Sequence, residues 1–330
     1  MGASPERVKR LAVLTSGGDA PGMNAAVRAV TRAALARGWE VCGVRNGYAG
    51  LLADTIVPLA ARDVGGIVQR GGTFLGSARC PEFAQAAGRT QALRNLAARG
   101  IEALVVVGGN GSQTGTASLA REGFAAVGVP STIDNDVYGT DVSVGADTAV
   151  NVTLEAIDRL RTTASSHQRA FVVETMGRDC GYIALMAGIA GGAEVIAIPE
   201  REVEATEVAE RLCAAYRRGK THALVVVAEG AKHGVQALLK LYGEQKDTIG
   251  FELRLTRLGH VVRGGVPSAA DRVLATRLGA AAVDSLAAGR SGVLLGMLRG
   301  EIAATPLSEI AGRTRPANAA LCDLARMLAV

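Results

Sequence analysis

At 330 residues the chain is too long for one simple core and matches two domains of ordinary size. Hydrophobic residues make up 48%, which excludes a disordered chain, while the net charge of +5 comes without a long Lys/Arg run. Aromatics, at 3%, are not interleaved with the basic residues, so nucleic-acid binding is excluded as well.

Short Val/Ile-rich runs alternate with Ala/Leu/Arg stretches of helical period. In chain order, a strand is predicted at Leu11–Leu14, a helix at Asn24–Arg37 and strands at Val41–Val44 and Leu104–Val107. A helix at Ala117–Arg121, a strand at Ala126–Val129, a helix at Ala149–Arg161 and a strand at Phe171–Val173 follow. The longest apolar tract, Gly181–Ile198, is broken by Gly191, Gly192 and Glu194, and is expected to be a helix, a turn and the strand Val195–Ile198 rather than a membrane span. The series closes with helix Glu204–Arg218, strand Leu224–Val227, helix Ala269–Ala287 and strand Val293–Leu295. Continuous apolar strands alternating with helices predict an α/β protein with doubly wound, mainly parallel sheets. Ligands of such sheets bind beyond the carboxyl ends of the strands.

Five scattered cysteines, with no C-x-x-C, fit reduced thiols better than a disulfide framework or zinc cage. The start, MGASPERVKR, lacks the apolar stretch of a secretory leader, and a cytoplasmic location is expected.

Four loop groups carry candidate chemistry. After the first strand comes Thr15-Ser16-Gly17-Gly18-Asp19-Ala20-Pro21-Gly22-Met23-Asn24, and after Val107 comes Gly108-Gly109-Asn110-Gly111-Ser112. Paired glycines admit an anion close to the backbone, and the helix start that follows offers N–H groups and a positive dipole end. Neither loop is a Walker A or a dinucleotide fingerprint, since Thr114 stands where the third Gly of the latter belongs. The third group, Pro130-Ser131-Thr132-Ile133-Asp134-Asn135-Asp136, sets two carboxylates at i and i+2 of a strand-like segment, where they can share one site; the same residues also suit a plain turn. The fourth is cationic: Gly71-Gly72 with Phe74 to Arg79, Ser165 to Arg169, Met176-Gly177-Arg178, Arg254, and Leu258 to Gly265. Arg placed repeatedly beside Gly suits phosphate oxygens, and Glu229 suits sugar hydroxyls.

Together these segments resemble the bacterial ATP-dependent 6-phosphofructokinase family. LTSGGDAPGMNA, RGGTFLGSAR, STIDND, SSHQR, MGR and LGH-x-x-RGG carry the likeness from Leu11 to about Leu298. The resemblance implies transfer of the γ-phosphoryl of ATP, with Mg²⁺, to the 1-hydroxyl of fructose 6-phosphate by a homotetramer. It implies Asp134 as the base, with Thr132, Asp136 and Arg178 as further catalytic residues. Gly18, Arg79, Cys80, Gly109, Asn110, Gly111 and Ser112 would meet ATP. The sugar phosphate would meet Thr132, Ile133, Asp134, Arg169, Met176, Gly177, Arg178, Glu229, Arg254, His260 and Arg263, with Arg169 and Arg254 supplied by a neighbouring subunit. An effector site would comprise Arg28, Arg32, Arg161, Glu194, Arg218 and Lys220; Ala61 and Gly66 stand where regulated members carry Arg and Asp. The domains would interleave, residues 1–145 with 258–308 binding ATP and 146–257 with 309–330 binding the sugar phosphate. Asn110 stands where the family has a metal-linked Asp. Gly111 and the absence of Lys at Ser131 favour ATP over pyrophosphate as donor. The alternatives are a pyrophosphate-dependent enzyme and a non-catalytic sensor on the same fold.

Overall fold

The computed structural model describes residues 8–167, 169–318 and 320–328; Gln168 of the SSHQR segment lies outside them. Two compact units emerge, residues 1–133, 137–147 and 263–315 in the first and 134–136, 148–262 and 316–330 in the second. The chain therefore crosses between units several times, and residues 258–262 group with the second unit while 309–315 group with the first.

The elements run β1 (Arg10–Ser16), α1 (Met23–Ala36), β2 (Glu40–Val44), α2 (Gly47–Leu52), β3 (Ile56–Pro58), α3 (Ala86–Ala98), β4 (Ala103–Gly108), α4 (Asn110–Arg121) and β5 (Ala125–Pro130). Then come α5 (Ala146–Ser166), β6 (Arg169–Thr175), α6 (Tyr182–Ala190), β7 (Val195–Ala197), α7 (Ala205–Arg217), β8 (Ala223–Ala228), α8 (Val235–Ile249) and β9 (Glu252–Arg257). The chain finishes with α9 (Ala269–Ala287), β10 (Val293–Leu298), β11 (Glu301–Pro306), α10 (Leu307–Ile310) and α11 (Ala320–Leu328).

The first unit holds a seven-stranded sheet in the order β11-β10-β5-β4-β1-β2-β3. Its interior is parallel, and only the outermost pairings, β2 with β3 and β10 with β11, are antiparallel. Residues Leu11–Leu14 and Ala103–Val107 are all buried, as strands covered on both faces must be. The register sets Ser16 opposite Gly108 and Gly108 opposite Pro130, so β1, β4 and β5 end level and their loops leave from one edge. On one face α1 packs against α9 so closely that a Cβ on Gly279 would lie 2.8 Å from the Ala26 carbonyl oxygen. Helix α9 is capped by Ser268, whose hydroxyl accepts from the Asp271 N–H and donates to Asp147 at 2.6 Å.

The second unit has a parallel four-stranded sheet, β7-β8-β6-β9. Alternate residues of β6 feed two cores. Val172 packs with Val208, Leu212, Leu238 and Phe251 of the α7–α8 side, while Phe171 and Val173 pack with Leu185, Ile157 and Cys322 on the other. Strands β3, β9 and β11 were not foreseen. Each is an edge strand, and β9 (Glu-Leu-Arg-Leu-Thr-Arg) alternates polar with apolar residues instead of forming an apolar run. No described helix is long and apolar enough to cross a membrane.

Candidate active site

In the first unit the loops after β1, β4 and β5 interlock through glycine. Gly17 has φ +86°, and a Cβ there would sit 3.2 Å from Ser112 Oγ. A Cβ on Gly108 would lie 2.5 Å from both the Ser16 carbonyl oxygen and Ser112 Oγ, so the two phosphate-loop candidates touch through backbone. The third loop joins them, since Ser131 N–H donates to Gly108 O at 3.1 Å and Thr132 N–H donates to Val144 O at 3.0 Å.

Helix α4 starts at Asn110 with Gly109 as its N-cap, so its first-turn N–H groups and positive dipole end are set beyond the sheet edge. A Cβ on Gly111 would meet nothing within 4 Å, so the helix start is open there. Arg263 lies against the first loop: its Nη1 donates to Asp19 O at 3.2 Å, and a Cβ on Gly18 would collide with it at 2.8 Å.

Several residues that support this arrangement were not singled out as site residues. Asn24 donates to Arg70 O (3.0 Å) and Gly71 O (3.2 Å) and accepts from Phe74 N–H at 2.7 Å. Thr15 Oγ1 donates to Gly76 O at 2.9 Å, and Ser77 Oγ donates to Gly17 O at 2.6 Å. These bonds fasten the loop that carries the exposed Arg79 and the half-buried Cys80 to the end of β1. Gln113, fully buried, donates to Gly108 O and Val129 O, joining the ends of β4 and β5. Tyr48 donates to Ser112 O at 2.6 Å, and burial pushes its phenol pKa up, which keeps it a donor. The signal for all of them was a polar residue inside an otherwise apolar or Gly-rich segment.

Asp134 and Asn135 are buried, as is Ile133, whereas Asp136 is partly exposed. The strand-like geometry expected here is corrected by the structure. Ile133 and Asp134 lie in a turn and Asn135 has φ +52°, so the alternation that would aim Asp134 and Asp136 the same way does not apply. Asn tolerates this left-handed conformation better than other non-glycine residues do.

The second unit builds its part with side chains. Beyond β6, Gly177 has φ +147° and Arg178, a non-glycine, has φ +51°. Such a conformation costs about 1–3 kcal/mol and persists where neighbours over-determine it. Here Glu229 Oε1 accepts from the N–H of both Gly177 (3.2 Å) and Arg178 (2.9 Å). A Cβ on Gly230 would lie 1.9 Å from Arg178 O, so backbone presses on backbone. Glu200 secures the next turn, accepting from Gly181 N–H at 3.0 Å and Ala317 N–H at 2.7 Å. Burial, with the Glu200 carboxylate adding to it, pushes the Cys180 thiol up to about 12, so it stays protonated. The arginine side chain of residue 178 is exposed, beside partly exposed Met176.

Arg169 and Arg254 form a separate pair. Arg169 opens β6, Arg254 stands opposite Phe171 in β9, and both hold Glu252, Arg169 at 2.8 Å. A strand of this length rises about 20 Å, so the pair lies at the far end of the sheet from Met176, Arg178 and Glu229, which follow the carboxyl ends of β6 and β8. His260, in the helical turn Gly259–Arg263 after β9, lies toward the carboxyl end. One chain thus does not gather all the sugar-phosphate candidates.

Of the effector candidates, Lys220 Nζ pairs with Glu194 at 3.2 Å, and Glu194 also accepts from Leu224 N–H at 2.5 Å. Arg161 reaches Gly192 O at 3.5 Å, and Arg218 caps the end of α7. Arg28 and Arg32 lie on α1, the first half-buried and the second exposed.

Comparison with known proteins places these features. The phosphofructokinase family profile matches residues 10–286. The ATP-dependent 6-phosphofructokinase 1 of Thermus thermophilus is 54% identical over 324 residues, covering 98% of this chain and 100% of the relative. That of Bacillus subtilis is 50% identical, covering 92% of this chain and 94% of the relative. Among solved structures, phosphofructokinase from Saccharomyces cerevisiae superposes with a TM-score of 0.85 at 40% identity over 92% of this chain, which spans 45% of that longer one. A pyrophosphate-dependent phosphofructokinase from Marinobacter aquaeolei superposes at 0.83 with 25% identity, covering 95% of this chain and 86% of the other.

Proposed function

The chain belongs to the phosphofructokinase family, and from that premise we propose that it is an ATP-dependent 6-phosphofructokinase. It transfers the γ-phosphoryl of ATP to the 1-hydroxyl of fructose 6-phosphate, releasing fructose 1,6-bisphosphate and ADP. The observation that carries this reading is 54% identity over the full length of a relative named for that activity. The open space at Gly111 supports a nucleotide rather than pyrophosphate as donor.

Phosphoryl transfer is mostly positioning and charge stabilisation, and the residues divide accordingly. Asp134 takes the hydroxyl proton as oxygen attacks the γ-phosphorus, with Thr132 and Asp136 orienting the reactants. Backbone N–H at Gly18, with Arg79 and Arg178, meets charge on the transferred group. Gly109, Asn110, Gly111 and Ser112 hold the nucleotide phosphates, and Cys80 lines their approach. The unit of residues 1–133, 137–147 and 263–315 handles ATP, and the other handles most of the sugar phosphate, with Ile133, Met176, Gly177 and Glu229 contacting sugar.

Arg169, Arg254, His260 and Arg263 grip the sugar phosphate. The distance along β6 between Arg169 and Met176 supports a neighbouring subunit as the source of Arg169 and Arg254, and hence a homotetramer with shared sites. We place the enzyme in the cytoplasm, where glycolytic substrates occur and its thiols stay reduced.

Mg²⁺ fits the first unit as an ion that arrives with the nucleotide. Among the described residues no trio of His, Cys, Asp or Glu at α4 could cage it, and Mg²⁺ ordinarily binds through substrate phosphates, waters and one or two protein oxygens. The Asn110 amide oxygen is the candidate protein ligand, and the ion when bound offsets phosphate charge.

The test is product formation from fructose 6-phosphate with ATP or pyrophosphate, each with and without Mg²⁺. Turnover with ATP and Mg²⁺ is expected; a preference for pyrophosphate, or no turnover under any condition, would reject the proposal.

A further inference from the structure

We propose that Glu202, Glu204 and His233 form a site for a divalent transition ion of the Zn²⁺ type. One donor atom from each lies within 4.8 Å of the others, and none of the three has a part in the phosphoryl transfer set out above. Glu202 and Glu204 flank Val203 in the extended lead-in to α7. Val203 is buried in the core beneath that helix, so both carboxylates are turned the opposite way, together. Glu204 is the N-cap of α7, yet its side chain makes no capping hydrogen bond. It turns instead to His233, 3.1 Å from Nε2.

His233 precedes Gly234, the N-cap of α8, in the loop after β8. Because β7 and β8 are parallel neighbours, the loops leaving their carboxyl ends run side by side, the edge of a doubly wound sheet where ligands bind. The His233 Nε2 atom is shielded from solvent and lies 3.1 Å from a Glu204 carboxylate oxygen without a hydrogen bond, so this nitrogen is not committed to a protein partner.

An imidazole nitrogen with two carboxylate oxygens suits Zn²⁺, Co²⁺ or Ni²⁺, whereas Mg²⁺ and Ca²⁺ prefer oxygen alone. Zinc at about 2.0–2.1 Å from each donor needs donors about 3.3 Å apart, so small rotamer shifts close the site, and water completes the coordination. The competitor already present is Lys232, whose Nζ lies 3.0 Å from Glu202. Both partners of that pair are more than half exposed, and such pairs contribute about 0–1 kcal/mol, so a dication displaces the ammonium. The bound ion ties the loop before α7 to the loop before α8.

The test titrates the chelator-stripped full chain with Zn²⁺ against a chromogenic chelator, with Co²⁺ as a spectroscopic probe. One equivalent per chain is expected, undisturbed by millimolar Mg²⁺ and accompanied by a rise in Tm. His233→Ala should weaken Zn²⁺ binding at least about tenfold, and Glu204→Gln should also weaken it, with Tm in chelator unchanged for both. No Zn²⁺ binding by the wild type, equal binding by both variants, or a Co²⁺ spectrum with thiolate charge-transfer bands would overturn the site.

Discussion

The two units shape their candidate residues by different means. In the first, glycines at 17, 18 and 108 remove side chains so that backbone, helix start and Arg263 approach one another. In the second, carboxylates hold the working parts: Glu229 clamps the backbone of Gly177 and Arg178, Glu200 secures the next turn, and Glu252 joins Arg169 to Arg254. Backbone-built loops have little to adjust, so added atoms should harm folding. Side-chain-built loops should lose function while the fold stays intact.

Asp134, the proposed base, should give the largest effect. Asp134→Asn should lower kcat by about 10²–10⁴, with little change in the KM for fructose 6-phosphate, in a steady-state assay. Near-wild-type turnover would remove it as the base.

Next comes the clamp. Glu229→Gln keeps an acceptor for both N–H groups, so Tm should be nearly unchanged, while a less firmly held Arg178 should lower kcat/KM by roughly tenfold or more. The contrasting change in the first unit is Gly108→Ala, whose Cβ meets Ser16 O and Ser112 Oγ at 2.5 Å. Overpacking of this kind costs about 1–3 kcal/mol, so denaturant titration should show lost stability. If Gly108→Ala left stability unchanged while Glu229→Gln unfolded the protein, the contrast between the units would be reversed.

Smaller effects refine the picture. Asn110→Asp should leave the fold intact and reduce the Mg²⁺ concentration needed for half-maximal rate, since a carboxylate attracts a dication more strongly than an amide does. An unmoved Mg²⁺ dependence would place Asn110 away from the metal. Glu252→Gln removes a charge that competes with phosphate for Arg169 and Arg254. The pairs are at least partly exposed, worth about 0–1 kcal/mol, so the KM for fructose 6-phosphate should fall only a few-fold. A rise in KM would show that Glu252 orients the arginines more than it competes with them.

The amino-acid sequence by itself determined the interior strands, because β1, β4, β5, β6 and β8 are buried on both faces and leave continuous apolar runs. It also determined helix Ala269–Ala287, and the motifs that mark the family. Edge strands β9 and β11 were not legible, since a half-exposed strand mixes polar with apolar residues, and β3 is only three residues long. The turn at Asn135 was hidden for a related reason: a positive φ depends on what surrounds the residue, and Asn alone permits it without requiring it. Only the tertiary structure decided that Glu229 holds the strained Arg178, that Asn24 fastens residues 70–74, and that Arg169 and Arg178 stand at opposite ends of one sheet. Those facts rest on contacts between segments distant in sequence, and local propensity carries no information about which distant atoms will meet.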